Sequence, residues 1–416
     1  MPGGAVTLHL PPESKRPPHP SALMILYLPF GAAGGYYIVT LGFLLPKAGV
    51  SVEDVAGLVA LFLFPNTWKV LWAPIVDTTL TARRWYMIAA VSTGLIMLAT
   101  AFIPAVPEQL WTFRIMALIS SITSSVCAMS AERLMAYTTP DHLRGRAGGW
   151  SQAGNLGGSG LGGGLGLWLA QNVSAWSAGA ALGIGTLLCC FALLVFEEPK
   201  DDGAHLNYGQ ALANLGKDIW TIAISRTGFL TLLLLFLPIG SGAASNLWPA
   251  VAGDWHADAD TVALVNGLLN GIVSMAGCLV GGYLSDVVNR KTGYAIFGVL
   301  LAGCAIAMAE APRTVDMFVI FTLVYAFILG LAYASFCAVT LETIGKGAAA
   351  TKYNLLACLS NMPITYMTKV DGWAQGKWGS SGMLYTEALT GVAAIVLFGF
   401  IVLGTRRRRP AVAAGG

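Results

Sequence analysis

The sequence predicts an all-α polytopic membrane protein of twelve transmembrane helices arranged as two six-helix halves. Three observations carry this. Of 416 residues, 56% are hydrophobic and only 11% are charged, less than half the roughly 25% charged residues of a soluble domain. Twelve stretches are apolar over the roughly 20 residues a helix needs to cross the hydrocarbon core. Lysine and arginine gather on one side of those stretches. No long segment has soluble composition, so a water-soluble enzyme, a disordered chain and a globular domain on a single anchor are excluded. The net charge of +3 is too small for the basic footprint of a nucleic-acid binder.

In order, the apolar runs occupy residues 22–45, 56–76, 86–106, 110–133, 146–171, 175–196, 227–250, 261–284, 292–311, 315–340, 350–371 and 382–404. The first follows a proline-rich tail and is too long for a cleaved signal peptide. With the N-terminus in the cytoplasm, 18 of the 24 Lys and Arg lie on the cytoplasmic side: Lys15, Arg16, Arg83, Arg84, Arg133, Arg144, Arg146, Lys200, Lys217, Arg226, Arg290, Lys291, Lys346, Lys352 and Arg406 to Arg409. Lys47, Arg114, Arg313, Lys369 and Lys377 fall opposite, and Lys69 sits within a span. The excess of positive charge inside places both termini in the cytoplasm.

The longest connection follows the sixth run and holds an amphipathic segment, Tyr208–Ile224. The chain divides into an N-terminal tail (1–21), a first bundle (22–196), a middle loop (197–226), a second bundle (227–404) and a basic tail (405–416). The halves echo each other. Asp77 and Asp286, offset by 209 residues, each end the second span of their half and precede a basic pair. Glu132 and Glu342, offset by 210, each end the fourth span. Two anchors at nearly one offset indicate duplication.

The charged residues give the candidate sites. Asp77 with Arg83 and Arg84, and Asp286 with Arg290 and Lys291, are expected to form ion-pair latches that hold the cytoplasmic side closed; the plain alternative is charge where the chain meets water. Lys69 lies about two helical turns inside Asp77. A buried lysine is costly unless paired or hydrated, so it is expected to bind a substrate anion or pair with a carboxylate. Glu132, beside Arg133, and its counterpart Glu342 are candidates for holding and releasing a proton from a low-dielectric cavity; the alternative is a solvated helix end paired with Arg144 or Lys346. Lys369 and Asp371 are expected to pair with each other or meet water, and Glu387 to sit at an interface.

Polar side chains within the spans are softer signals. Asn66, Gln152, Asn155, Asn246, Asn266, Asn270, Asn354 and Asn361 either line a cavity or bridge helices. Tyr36, Tyr37, Trp248 and Tyr366 either stack on a substrate or pack. The fifth run is rich in glycine from Gly145 to Gly166, which lets backbones touch. Its Gly158-x-Gly160-x-x-Gly163 lacks the βαβ setting of a dinucleotide fingerprint. The seven cysteines form no CxxC pair and read as small packing residues. No bound cofactor or metal is expected, and no Walker A, HExxH or GxSxG sequence occurs.

Six plus six runs about a basic loop resemble the layout of the major facilitator superfamily, whose substrate sits between the halves near the midplane. Within it, Lys69-Val-Leu-Trp-Ala-Pro-Ile-Val-Asp77 resembles the Lys-(Phe/Leu)-Leu-Trp-(Ala/Ser)-Pro-(Leu/Ile)-x-Asp signature of the AmpG muropeptide permeases and acetyl-CoA transporters. Glu132 through Pro140 to Arg144-Gly145 is similar to that family's acid, proline and Glu-Arg-Gly. Ala348-Ala-Ala-Thr-Lys-Tyr353 and Gly372-Trp373 resemble its entry to and exit from span eleven. The chain departs from the pattern at Tyr137, where these permeases tend to have a second acid, and in lacking their two extra spans. The resemblance implies a proton-driven carrier of a bulky anionic solute: a muropeptide, an acyl-CoA or, as in shorter members, a siderophore. It singles out Lys69 and Glu132, and it implies a monomer in a bacterial cytoplasmic membrane, energised by the proton gradient. Two other functions compete: an efflux proton antiporter of the same superfamily, and a non-transporting membrane receptor or membrane enzyme.

Overall fold

A computed structural model describes residues 18–198, 208–344 and 349–407. Lys15, Arg16, Lys200, Lys346, Arg408 and Arg409 lie outside the described residues. Helical segments occupy each of the twelve predicted runs, and the described residues include no strand. The helices are numbered below by the run they occupy.

Among the described residues, seven helices are long and apolar enough to cross a membrane: Ser21–Lys47, Pro107–Thr138, Trp176–Val195, Asp260–Val287, Arg290–Glu310, Val315–Ile344 and Ala349–Gly404. The last covers runs eleven and twelve, which part at Gly379, where φ is 69°. Helix two and helix seven contribute shorter apolar pieces, Gly57–Leu71 and Arg226–Phe236. Helix three (Ala82–Thr100) and helix five (Arg144–Gly160, continuing to Asn172) are less apolar. Helix five has a physical reason for this. It packs between helices one, eight and ten, so it faces protein instead of lipid and needs smallness more than hydropathy.

The breaks follow from the sequence. Helix two runs from Val52 to Trp68, tightens into a 3-10 turn over Lys69–Leu71, and resumes at Ala73–Thr78. Pro74 has no amide hydrogen, and its ring opposes the carbonyl four residues back, so the regular helix stops there. The predicted continuous span 227–250 is also interrupted. Helix seven ends at Phe236, and the chain passes Pro238, Gly240 (φ 63°) and Gly242 (φ 68°) before a 3-10 turn over Ala243–Leu247. Proline and two left-handed glycines in five residues cannot continue a helix. Between the halves, a helix covers Tyr208–Ile224, the segment read as amphipathic, with Trp220 and Ile224 exposed.

The halves meet along helices five and eight and along helices two and eleven. A Cβ on Gly149 of helix five would lie 2.6 Å from the Cys278 carbonyl oxygen and 2.7 Å from the Gly282 Cα of helix eight. Farther along, a Cβ on Gly160 would lie 2.9 Å from the Gly271 Cα. Only glycine permits this approach over most of the helix. Helix two touches helix eleven through its 3-10 turn and its last segment. Gly149→Leu is expected to disfavour this packing by at least the roughly 1–3 kcal/mol typical of overfilled cores. Pulsed EPR distances between labels on helices five and eight should then lengthen. An unchanged distribution would show that the contact is not what sets the closed arrangement.

Candidate functional site

Where the halves meet, a central cavity of about 210 Å³ opens between them. The first half contributes Tyr27 and Phe30 from helix one, Asn66 and Lys69 from helix two, Glu132 from helix four, and Gln152 and Asn155 from helix five. The second half contributes Gly240 and Ser241 at the break of helix seven, Tyr294, Tyr333 and Phe336, and Tyr353, Ser360 and Asn361 of helix eleven. One wall is therefore charged and amide-rich and the other largely aromatic. The chain order gives little sign of this division, because the aromatic wall is assembled from three separate helices.

Lys69 is 8% exposed and lies in the 3-10 turn that Pro74 imposes on helix two. Its Nζ stands 5.8 Å from the centre of the Phe30 ring. Glu132, 2% exposed, is the carboxylate that attracts it. Yet the carboxylate's hydrogen bond goes across the halves: Asn354 Nδ2 donates to Glu132 Oε2 at 2.5 Å and to the Ala350 carbonyl at 2.8 Å. Among the described residues Lys69 forms no ion pair within 4.0 Å. Its ammonium is thus a buried charge with donors turned to the cavity.

The other candidates separate. Asn155 Nδ2 donates to Gln152 Oε1 at 3.1 Å, so those two amides act as a unit on the cavity wall. Asn66 Nδ2 reaches Ser121 Oγ at 3.4 Å, and its buried Oδ1 has no donor among the described residues. Asn266 and Asn270 stand at the irregular turn of helix eight, outside the cavity lining. Arg133 points away from it: its guanidinium donates to the Val76 and Leu80 carbonyls at 2.6 and 3.0 Å. Glu342 is no cavity residue either. It lies at the basic-loop end, paired with Arg290 at 3.2 Å with 40% of its side chain exposed. The sequence symmetry of Glu132 and Glu342 is therefore not a symmetry of environment. Tyr37 stacks on Phe62 and Trp248 meets Tyr325 edge-on, both as packing.

At the basic-loop end the two aspartates do not pair with the basic residues of their own loops. Asp77 accepts hydrogen bonds from Ala350 N (3.2 Å), Thr351 N (2.8 Å) and Thr351 Oγ1 (2.6 Å) at the start of helix eleven. Asp286 accepts from Gly145 N (2.7 Å) and Arg146 N (3.1 Å) at the start of helix five, and pairs with Arg146 Nε at 3.2 Å. Each half thus caps the fifth helix of the other. A carboxylate at a helix N-terminus meets unsatisfied amides and the positive end of the dipole, which a loop arginine exposed to water does not offer. Arg83 N and Ala82 N instead bond the Glu198 carboxylate. Arg84 N bonds Thr81 Oγ1 at 3.3 Å. Lys291 Nζ bonds the Thr227 carbonyl at 3.1 Å, and Arg290 reaches the Asp141 carbonyl across the halves at 2.5 Å.

Two helical bundles around a central polar cavity, clasped at one end, make the architecture of a membrane transporter for a small solute. The chain belongs to the Major Facilitator Superfamily, whose family model matches residues 23–365. Over 396 residues it is 24% identical to the anhydromuropeptide permease of Escherichia coli strain K12, covering 91% of this chain and 79% of that protein. Among solved structures it resembles the proton:xylose symporter XylE (TM-score 0.68, 16% identity, 92% of this chain and 96% of the other). It also resembles the human organic anion transporter MFSD10 (TM-score 0.69, 14% identity, 92% and 100%). At these identities the structural matches establish the fold.

Two features of the second half escape the sequence motifs. Asp371 is fully buried and Glu387 is 6% exposed, where charge at a span end suggested pairing with Lys369 or contact with water. The signal that points to them is Gly379: the two acids stand eight residues before and eight after it. A turn there brings them to one depth.

Proposed function

We propose that this transporter is a secondary active carrier that takes up a bulky anionic solute together with protons by alternating access, with anhydromuropeptides as the first candidate class. One observation carries the reading: a buried lysine whose donors face a cavity walled by aromatic rings. A solute carboxylate would bind the Lys69 ammonium, and its sugar or apolar portion would lie against Tyr294, Phe336 and Tyr353. The 24% identity to the anhydromuropeptide permease along most of the chain supports that solute class.

Charge balance supports proton coupling. With Glu132 ionised, Lys69 and Glu132 sum to zero in the empty cavity. When a solute anion takes the ammonium, a proton on Glu132 restores neutrality. Lys69, Glu132 and the solute then sum to zero in both the empty and the loaded cavity, where a net charge out of reach of water is costly. Anion without proton, or proton without anion, leaves such a charge. Strict coupling follows from that penalty.

The test is uptake of radiolabelled anhydromuropeptide by liposomes containing the purified protein. For one proton per neutral turnover, accumulation should rise about tenfold for each pH unit of gradient, acidic on the entry side, the equivalent of about 1.4 kcal/mol. A protonophore should abolish it. Glu132→Gln is expected to lose accumulation and to retain exchange of labelled for unlabelled solute. A Glu132→Gln protein that still concentrates solute would remove Glu132 as the proton carrier, and uptake indifferent to the gradient would discard the coupling.

A further inference from the structure

The buried acids of the second half are wired to the central cavity. Ser241 Oγ, on the cavity wall, donates to Glu387 Oε1 at 3.0 Å, and Tyr325 OH of helix ten donates to the same oxygen at 3.2 Å. The carboxyl groups of Asp371 and Glu387 are within hydrogen-bonding reach of each other. Asp371 Oδ1 and Oδ2 and Glu387 Oε2 are buried and find no donor among the described residues. Among the described residues no lysine or arginine pairs with either acid, and Lys369 on the same helix is exposed. The titratable groups facing the pair are Tyr325, with Cys304 behind it, and the acids themselves. Helix seven offers only the Ser241 hydroxyl.

Two carboxylates buried in contact, with no cation, cannot both be charged at tolerable cost. Something positive must occupy the pair. A metal ion such as calcium takes six or more oxygens, whereas the two hydroxyls here turn their hydrogens toward Glu387 and leave three bare carboxylate oxygens. A proton needs only two facing lone pairs. We infer that Asp371 and Glu387 hold one shared proton between them, and that Ser241 is the port through which this proton exchanges with the central cavity. This is a second proton site, separate from Glu132. It joins helix eleven to helices seven and twelve at the end opposite the Asp77 clasp. Use of this proton to drive transport rests on the function proposed above; its binding does not.

The experiment therefore measures binding alone. Purified full-length protein in liposomes is treated with dicyclohexylcarbodiimide, which modifies protonated carboxyl groups in apolar surroundings, and the labelled peptides are identified by mass spectrometry. Label on Asp371 or Glu387 is expected to fall about tenfold for each pH unit above its midpoint, as the protonated population does. Asp371→Asn, which keeps the shape, should move the Glu387 midpoint by about one pH unit or more because the coupling is gone. Ser241→Ala should slow the response of the label to a pH jump. Absence of label on both acids at every pH would overturn the site. Protection by sodium at constant pH would overturn the proton as its occupant, and an unmoved midpoint in Asp371→Asn would overturn the sharing. None of these outcomes depends on whether anhydromuropeptide is carried or on what Glu132 does.

Discussion

Lys69→Ala should abolish concentrative transport while leaving the protein folded. The ammonium is the cavity's uncommitted cation, so its removal leaves a solute anion buried without a counter-charge. Truncating one member of a buried charge pair costs about 2–5 kcal/mol, or from roughly 30-fold to several thousand-fold in apparent affinity. The loss should appear in binding and in exchange as well as in accumulation, which separates it from the Glu132→Gln phenotype. Folding should survive because, among the described residues, the Lys69 side chain makes no hydrogen bond that holds helix two; its carbonyl, which accepts from Trp72 N, is kept in the variant, and Pro74 and the helix-eleven contacts shape that turn. Equilibrium binding of labelled anhydromuropeptide and size-exclusion profiles test both halves of this expectation. Near-normal turnover in Lys69→Ala would return the lysine to a packing role.

The double variant Asp77→Ala/Asp286→Ala should open the basic-loop end. Each aspartate accepts two backbone hydrogen bonds from the opposite half, and Asp77 accepts a third from a hydroxyl. Hydrogen bonds to charged groups contribute about 1.5–3 kcal/mol each, and an unmet buried amide costs a further part of that. Losing both clasps shifts the equilibrium by more than the about 5.5 kcal/mol that turns a 99:1 population into 1:99. Single-molecule FRET between dyes at the ends of helices five and eleven should therefore change its major state. Each single variant should shift it part of the way. A population unmoved by the double variant would mean that glycine packing between helices five and eight alone closes this end, and Gly149→Leu would then be the dominant lesion.

The latch shows where legibility stopped. Sequence placed Asp77 and Asp286 at equivalent helix ends and marked them as gates, but it offered the nearby arginines as partners. The nearest charge along the chain was not the strongest available partner, because a helix N-terminus 141 residues from Asp286 or 273 from Asp77 presents pre-aligned amides. Lys69 was singled out for a different reason: a cation eight residues inside a span is costly wherever the helix faces, so the expectation that it is paired or hydrated did not depend on the packing. Glu342 failed as a counterpart to Glu132 because equal offset along the chain does not fix equal depth. Asp371, expected to pair with Lys369 or meet water, and Glu387, expected at an interface, are both buried, for the same reason.

The amino-acid sequence by itself determined that this chain is helical and membrane-embedded, because scarcity of charge and the length of apolar runs act locally, through the cost of placing polar groups in lipid. Runs 56–76 and 227–250 read as continuous spans, yet helices two and seven break within them, because proline and left-handed glycine act on their own backbone. Which helix faces which was decided only in the tertiary structure. All-apolar spans carry no clear polar face, so the cavity, the clasps and the buried acid pair arise from contacts between residues far apart in the chain.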